Sequence, residues 1–261
     1  MRLKTGADFR GMNRDDNLIF DVGMNEGSDT AFYLAKGFRV IAVEANPALA
    51  KKAHARFAAE VNSGSLRIIA KAVGLSRGRI RFFLHRKDDW SATTRLPDWE
   101  DQDVECIEVD CVPLDDLIRD HGVPHYLKID IEGSDLEAVR SLARLPDLPT
   151  YVSAEAHTPQ VALVLHDLGY RNFKLIDQGH GKRAGLPWVP REGVYVHQTF
   201  TGLHSGPFGE ETPGPWRSLD QVLADFEMAN PATWYDFHAT HVAGSARAAD
   251  DLQGRVEIWA T

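Results

Sequence analysis

The sequence is poor in cysteine and has no long apolar run. Its two cysteines are Cys106 and Cys111, and their spacing matches neither a zinc site nor a redox motif. So few thiols favour a reducing compartment, and we expect a cytoplasmic protein. The longest uninterrupted apolar stretch is Val161–Leu165, whereas a membrane-spanning helix needs about 20 apolar residues. The sequence therefore predicts no membrane span, and residues 1–17 have no apolar stretch that would indicate a signal peptide.

An excess of positive charge is also absent. The formal net charge is −9, from 38 acidic and 29 basic residues, without any block of lysine or arginine. Nucleic acids and anionic membranes attract basic surfaces, so we expect neither as a partner. The hydrophobic content of 43% and charged content of 26% are typical of a globular protein and exclude a disordered chain.

Short β-rich runs alternate with helical patterns over the first two-thirds of the chain. A buried strand is predicted at Leu18–Val22, a helix at Ser28–Lys36 and a second strand at Arg39–Val43. Further strands are predicted at Leu66–Ala70, Arg79–His85, Val104–Cys111, Tyr126–Ile129, Tyr151–Ala154 and Phe173–Ile176. Repeated β-α units predict an α/β fold with a Rossmann-like, doubly wound, mostly parallel sheet and inserted strands. Such a sheet binds its ligand at the carboxyl ends of the strands.

The chain divides into three predicted parts: an N-terminal extension (1–17), a main domain (18–198) and a C-terminal extension (199–261). Residues 179–215 are rich in glycine and proline, and Val194–His197 is a predicted strand. Long glycine-rich loops in compact domains are often lids or binding loops. We therefore expect the C-terminal extension to be a candidate substrate lid, with His204 and Phe208 contacting the substrate. Packing as an ordinary surface loop is the alternative.

A glycine turn between the first strand and the first helix is the strongest local motif. Gly23 and Gly27 permit a tight turn and a close approach of ligand to backbone. Glu44 ends the second strand, where an acid binds ribose hydroxyls in nucleotide-binding sheets. The residues that we expect to bind a cofactor here are Asp21, Gly23, Asn25, Gly27, Thr30, Glu44 and Ala45.

The turn lacks the complete Gly-x-Gly-x-x-Gly pattern of dinucleotide sites. Aligned on Gly23, the second and third glycines are replaced by Asn25 and Ser28. This favours an adenosyl ligand without a pyrophosphate, such as S-adenosylmethionine. A NAD-dependent oxidoreductase remains as an alternative, as does a non-catalytic module that binds a cofactor or a glycan.

Acids and a histidine end the later strands. Asp130 follows the fourth core strand, and Glu155 and His157 at the end of the fifth share one face because they are two residues apart. We expect Asp130, Glu155 and His157 to orient or deprotonate the acceptor, with His157 titrating near its reference pKa of about 6.5. Asp130 is also a candidate cofactor-binding residue that could hold the sulfonium end. Three alternatives are that Asp130 only caps the turn after Gly133, that His157 is structural, and that the three residues bind Mn²⁺ or another divalent ion. Between a side-chain base and a metal site, we expect catalysis without a metal.

Four motifs, in order, resemble those of the FkbM-type methyltransferase family. They are Asp21–Gly27, Val43–Pro47, Pro113–Leu117 and Leu127–Asp135. The resemblance spans roughly residues 18–177 and implies a class I methyltransferase fold with S-adenosylmethionine as cofactor. It implies, usually, O-methylation of a hydroxyl on a saccharide or natural product. Residues 18–198 would then be the S-adenosylmethionine-binding domain, and the substrate a small molecule or saccharide.

Two further segments have family counterparts near the cofactor. Ala72 and Val73 follow the third strand, and the resemblance implies that this loop covers the adenine. Ser91 and Thr93 lie in a hydroxyl-rich stretch that resembles a serine-rich family segment, and we expect them to contact the substrate. The alternatives are a simple strand exit for the first segment and ordinary turn formation for the second.

Overall fold

The structure is a computed structural model that describes residues 13–85, 88–93, 104–179 and 185–242. The strands are β1 Arg14–Val22, β2 Arg39–Val43, β3 Leu66–Ile69, β4 Ala72–Val73, β5 Gly78–His85, β6 Asp88–Thr93, β7 Val104–Val112, β8 Val123–Ile129, β9 Tyr151–Glu155, β10 Asn172–Asp177 and β11 Tyr235–Thr240. The α-helices are α1 Ser28–Ala35, α2 Pro47–Arg56, α3 Ala58–Ser63, α4 Leu114–His121, α5 Asp135–Ser141, α6 Gln160–Leu168 and α7 Leu219–Glu227.

Seven strands form the central sheet in the order β3-β2-β1-β8-β9-β11-β10. Pairing is parallel from β3 through β9, and β11 runs antiparallel to both of its neighbours. The strand order reverses at β1, so the carboxyl ends of β1 and β8 flank the crevice where such sheets bind ligands. This confirms the predicted α/β, doubly wound, mostly parallel fold.

Apolar side chains cover both faces of the sheet. Leu18, Phe20 and Val22 of β1 belong to one buried cluster, whereas Ile19 belongs to another on the opposite face. Alternate residues of a strand point to opposite faces, so an almost continuous apolar run is what a strand covered on both sides requires. The apolar pattern of Leu18–Val22 therefore fits the interior position of β1, between β2 and β8.

A second, smaller sheet contains the inserted strands, in the order β4-β7-β5-β6. The antiparallel pair of β5 and β7 extends from Gly78 opposite Cys111 to His85 opposite Val104. Strand β4, which consists of Ala72 and Val73 and closely follows β3 in the chain, joins this sheet by pairing with the end of β7. The prediction of inserted strands is confirmed, and the insertion lies beside the crevice.

The structure corrects the predicted boundaries of the two extensions. Strand β1 begins at Arg14, inside the predicted N-terminal extension, and β11 inserts between β9 and β10 although it lies in residues 199–261. A strand that pairs on both edges is part of the sheet, so the C-terminal segment is not only a lid. The predicted strand at Val194–His197 is wrong, since those residues are irregular. No helix in the described ranges is both long and apolar enough to span a bilayer.

Candidate functional site

A cavity of about 410 Å³ opens at the carboxyl ends of the central strands. The residues that line it come from the glycine turn after β1, the ends of β2 and β8, the β3–β4 segment and the C-terminal part of the chain. Its volume lies within the range of pockets that hold small molecules, roughly 300–1,000 Å³. The crevice that the topology predicts is therefore a real cavity of suitable size for an adenosyl cofactor.

The glycine turn packs backbone against backbone. Gly23 has φ of +87°, and a Cβ at this position would lie 1.8 Å from the carbonyl oxygen of Asp130. The N–H groups of Gly23 and Met24 both donate to the carbonyl of Val43, at 2.9 and 3.1 Å. Any larger side chain at Gly23 would push the turn away from β8, so this glycine sets the shape of the cavity floor.

Glu44 and Asn25 present polar atoms to the cavity. The Glu44 carboxylate accepts the backbone N–H groups of Asn25 and Asn46, each at 2.8 Å. Burial raises the pKa of Glu44, and these two N–H donors oppose that rise. Asn25 has φ of +50°, and its buried Oδ1 has no hydrogen-bond partner in the described structure. An unpartnered buried acceptor in a strained turn fits a ligand that carries a donor, such as the ammonium of a methionine moiety.

Most of the predicted cofactor residues line this cavity, but three do not. Those that line it are Gly23, Asn25, Glu44, Ala45, Ala72, Val73 and Asp130. Asp21, Gly27 and Thr30 are buried behind its wall. The Thr30 hydroxyl donates to Asp21 at 2.6 Å, and Gly27 closes the turn where a Cβ would lie 2.6 Å from the Phe57 ring. We therefore correct the expectation that these three bind cofactor directly, because they support the turn from beneath.

Lys128 is a site residue that the sequence analysis missed. Its ammonium lies 3.4 Å from Asp21, 3.4 Å from Asp29 and 3.2 Å from Asp130. Burial acts to lower the pKa of Lys128, but the three carboxylates hold it well above its ordinary value. The pKa of Asp21 rises to about 6, mainly through burial, against the opposing effect of Lys128. A protonated lysine thus joins three acids under the cavity, and its place two residues before Asp130 on one strand face was the available signal.

Carboxyl groups crowd the side of the cavity at the ends of β8 and β9. Asp130, Glu132 and Glu155 all line it. Burial together with the negative charges of Glu155 and Asp130 raises the pKa of Glu132 to about 8. Asp135, beneath them, accepts the N–H groups of Ile131 and Gly133 at 3.3 and 3.1 Å. Asp135, not Asp130, therefore caps this turn, which leaves the Asp130 carboxylate directed to the cavity and to Lys128.

His157 pairs with Glu155 but does not line the cavity. Its Nε2 lies 2.7 Å from Glu155 Oε2, and its side chain is 46% exposed. This hydrogen bond, opposed by burial, raises the pKa of His157 to about 9. The expected titration near 6.5 is thus corrected. At neutral pH the imidazole is protonated. His157 can then orient Glu155, but it can act as a base only after it loses this proton.

The alternative metal set is rearranged in the structure. Among the described residues, the group whose ligand atoms lie within 4.8 Å of one another is Asp135, Glu155 and His157. Asp130, which the spacing suggested, is instead paired with Lys128. The two oxygens of Asp135 already accept backbone N–H groups, and Glu155 is paired with His157. The structure thus replaces Asp130 by Asp135 in the candidate metal set, and catalysis without a metal stays a prediction.

The predicted substrate contacts have different outcomes. His204 lines the cavity, together with Leu203 and Ser205 of the same loop. Phe208 is completely buried and stacks on Tyr126 with ring centroids 4.9 Å apart, so its expected substrate contact is wrong. Phe208 follows the loop but fills the apolar core beneath α1. Ser91 and Thr93 lie in β6, and their side chains are outside the described part of the chain.

Three cavity residues were not among the individually predicted site residues. They are Gln178, Trp234 and Asp236, which follow β10 or lie at the start of β11. No short motif includes them, because β10 and β11 are separated by more than fifty residues of chain. The aromatic content of the tail was the available signal, and it did not distinguish Trp234 from the other aromatics.

Together, the doubly wound sheet, the glycine turn and the acid at the end of β2 define a protein that binds an adenosyl cofactor. Residues 21–172 match the family described as Methyltransferase FkbM domain. This match covers more than half of the chain, and the chain therefore belongs to the FkbM methyltransferase family. It is an S-adenosylmethionine-dependent methyltransferase by family, and the oxidoreductase alternative is set aside.

Similar solved structures include three methyltransferases. Precorrin-6y C5,15-methyltransferase from Geobacter metallireducens has 12% identity and a TM-score of 0.38, with 88% of this chain and 82% of that chain covered. A SAM-dependent methyltransferase from Archaeoglobus fulgidus has 10% identity and a TM-score of 0.41, with 87% of each chain covered. Geranyl diphosphate C-methyltransferase from Streptomyces coelicolor, solved with S-adenosyl-L-homocysteine, has 10% identity and a TM-score of 0.35, with coverages of 90% and 77%. No curated protein matches the chain.

Proposed function

We propose that the protein transfers a methyl group from S-adenosylmethionine to a hydroxyl oxygen of a saccharide or glycosylated small molecule. The observation that carries this proposal is the carboxylate of Asp130, which lines the cavity at the end of β8 beside Lys128. An oxygen acceptor must lose its proton during or after transfer, and a carboxylate in this place can accept it. The family to which the chain belongs supports the methyltransferase part of the proposal.

The cofactor would be held by the first three strand ends. Glu44 would accept the ribose hydroxyls, Asn25 and the turn at Gly23 would hold the methionine part, and Ala72 and Val73 would border the adenine. When bound, S-adenosylmethionine supplies an electrophilic methyl group on a sulfonium. The remaining residues of the chain then have to position one hydroxyl and take its proton, and positioning alone contributes several kcal/mol.

Asp130 and Glu155 would perform those two tasks. Asp130 lies 3.2 Å from the Lys128 ammonium, and its carboxylate would accept the hydroxyl proton. Glu155 would receive a hydrogen bond from the acceptor, and His157 holds its carboxylate from the outer side at 2.7 Å. His157 is a positioning residue in this scheme, because it does not line the cavity.

The charge on the side of the cavity at the ends of β8 and β9, where the acceptor would bind, supports an uncharged acceptor. The carboxylates of Asp130 and Glu155 line this side, whereas the raised pKa values of Glu132 and Asp236 favour their neutral forms. The Lys128 ammonium is already shared among three carboxylates. A phosphate or carboxylate near the reacting hydroxyl would be repelled by like charges a few ångströms away. Nucleic acids and sugar phosphates are therefore disfavoured, and neutral saccharides fit. We further propose that the protein acts in the cytoplasm, since Cys106 and Cys111 are both free thiols.

The test uses Asp130→Asn, which keeps the size of the side chain and removes its charge. With radiolabelled S-adenosylmethionine and a library of neutral saccharides and glycosides, the wild-type protein should label at least one acceptor. Turnover of Asp130→Asn should fall about 100-fold or more, as for the loss of a general base. Affinity for S-adenosylhomocysteine should change much less.

Asp16→Asn is the matched control, because Asp16 lies outside the cavity at the opposite end of β1. It should turn over like the wild type. Near wild-type turnover in Asp130→Asn would remove Asp130 from the chemistry. Cofactor binding without any labelled acceptor would instead favour a non-catalytic module.

A further inference from the structure

One wall of the cavity is built by chain segments outside the family match. Gln178 follows β10, and Trp234 and Asp236 flank the start of β11. Residues 21–172 carry the family match, and the proposed cofactor contacts all lie within that range. This wall therefore belongs to the part of the cavity that is left for the acceptor.

Hydrogen bonds hold this wall in place. The Gln178 backbone N–H donates to the Trp234 carbonyl at 2.9 Å, and the Gln178 side-chain amide donates to Asp236 Oδ2 at 2.8 Å. Asp236 is also paired across the sheet with Glu155, at the proposed reaction centre. Gln178 is 3% exposed, whereas the Trp234 ring is 54% exposed at the cavity mouth. The result is a hydrogen-bonded polar pair and an exposed aromatic residue in one wall of the cavity.

The polar pair has the chemistry of a neutral hydroxyl-binding group. Burial, with the charges of Asp130 and Glu155, holds the pKa of Asp236 well above its ordinary value. This direction favours the neutral acid, and because Gln178 donates to Oδ2, the other oxygen can donate to a ligand. Gln178 contributes an amide oxygen as well, so the pair offers a donor and an acceptor side by side.

We propose that Trp234, Gln178 and Asp236 form the acceptor subsite, which binds a neutral pyranose ring. The apolar face of the pyranose packs on Trp234. Two adjacent hydroxyls of the ring bind Gln178 and Asp236, and this binding places a neighbouring hydroxyl beside Asp130. Aromatic faces bury the C–H surface of sugars, and paired polar groups discriminate their hydroxyls. The proposal deepens the proposed function and depends on it for the identity of the reacting hydroxyl.

The test measures glycoside binding to the full chain saturated with S-adenosylhomocysteine. The probes are the methyl α-pyranosides of glucose, mannose, galactose and rhamnose, with glucose 6-phosphate as the anionic comparison, and the readout is saturation-transfer NMR titration. At least one neutral glycoside should bind, and glucose 6-phosphate should bind at least about tenfold more weakly. Trp234→Ala should weaken glycoside binding about tenfold or more.

Two substitutions at Asp236 separate hydrogen bonding from charge. Asp236→Asn keeps the neutral shape and a donor, and should retain glycoside affinity within about threefold. Asp236→Leu should lose it about tenfold or more, because two polar contacts are left unmade. Trp188→Ala is the matched aromatic control, since Trp188 is 84% exposed and lies outside the cavity. It should bind glycosides like the wild type.

Failure of this proposal is distinguishable from failure of the proposed function. Every variant should bind S-adenosylhomocysteine like the wild type, which also shows that it is folded. If cofactor binds but no glycoside does, or if glycoside binding survives both Trp234→Ala and Asp236→Leu, the subsite is wrong. If the radiochemical assay labels an acceptor, and neither Trp234→Ala nor Asp236→Leu changes its turnover, the subsite is wrong while the methyltransferase activity stands.

Discussion

The ammonium of Lys128, in β8, lies 3.2 Å from the carboxylate of Asp130, which directly follows the end of that strand. The same ammonium lies 3.4 Å from Asp21 and from Asp29, which are buried. One cation therefore connects the buried acids under the cavity to the acid that faces it. Stability and chemistry depend on the same side chain here, so substitution of Lys128 should affect both.

Lys128→Met should destabilise the fold by about 3–5 kcal/mol, since removing one partner leaves the buried carboxylates Asp21 and Asp29 uncompensated. Urea unfolding followed by circular dichroism gives the free energy of unfolding. Lys51→Met, on the exposed side of α2, is the control and should cost less than about 0.5 kcal/mol. A loss below 1 kcal/mol in Lys128→Met would show that the cluster does not need its cation.

Glu44→Ala should weaken binding of S-adenosylhomocysteine by removing hydrogen bonds to ribose, each contributing roughly 1.5–3 kcal/mol for a charged group. In the wild type, this ligand at 100 times its Kd should stabilise the fold by about 2.7 kcal/mol. Thermal unfolding with and without the ligand measures the effect. Glu26→Ala is the control, because Glu26 also lines the cavity mouth but is exposed. Equal stabilisation of Glu44→Ala and the wild type would place the ribose elsewhere.

The His157–Glu155 pair should contribute to stability in a pH window. The pKa of His157 is raised from 6.5 to about 9 in the folded state. The contribution is therefore fully present below about pH 6.5 and is lost as pH rises through 9. Because His157 is 46% exposed, its size should stay below about 1 kcal/mol. His157→Gln should be less stable than the wild type at pH 6 and equal to it at pH 10; a constant difference would rule out the charged pair.

Turnover should persist without a divalent metal. Asp135, Glu155 and His157 could surround an ion, but Asp135 accepts two backbone N–H groups and Glu155 lies 2.7 Å from His157. Activity should be unchanged after dialysis against EDTA and on addition of Mn²⁺ or Mg²⁺. Complete loss in EDTA with recovery in Mn²⁺ would establish a metal centre, and Asp135→Asn would then be expected to abolish the recovery.

Phe208→Ala should act on stability and not on the cofactor. The ring is fully buried among Tyr33, Phe38 and Tyr126, so its removal should cost about 3–5 kcal/mol. Leu203→Ala provides the comparison, because Leu203 lies at the cavity mouth and is 43% exposed. Denaturant midpoints and S-adenosylhomocysteine affinity would be measured for both. Loss of ligand affinity in Phe208→Ala at unchanged stability would contradict the core assignment.

Local pattern was sufficient for the parallel strands of the central sheet and for the glycine turn and acid that border the cavity. It missed β11 and predicted a strand at Val194–His197 that does not form. The apolar run at Leu18–Val22 predicts a doubly covered strand, and the turn at Gly23 and the acid Glu44 predict a ligand at the strand ends. These features are determined by residues close together in the chain, where periodicity and turn chemistry act directly. Sequence spacing did not show that Asp21 and Thr30 bond to each other behind the cavity wall.

Pairing between strands distant in sequence decided the rest of the site. Strand β11 inserts between β9 and β10 across more than fifty residues of chain, and this places Trp234 and Asp236 beside Glu155. The same folding turns Phe208 into the core and His204 to the cavity, although they are four residues apart on one loop. The local conformation of a residue is determined by its neighbours in sequence. Which side chains face a ligand depends on which distant strand pairs with which, because burial is a property of the assembled layers.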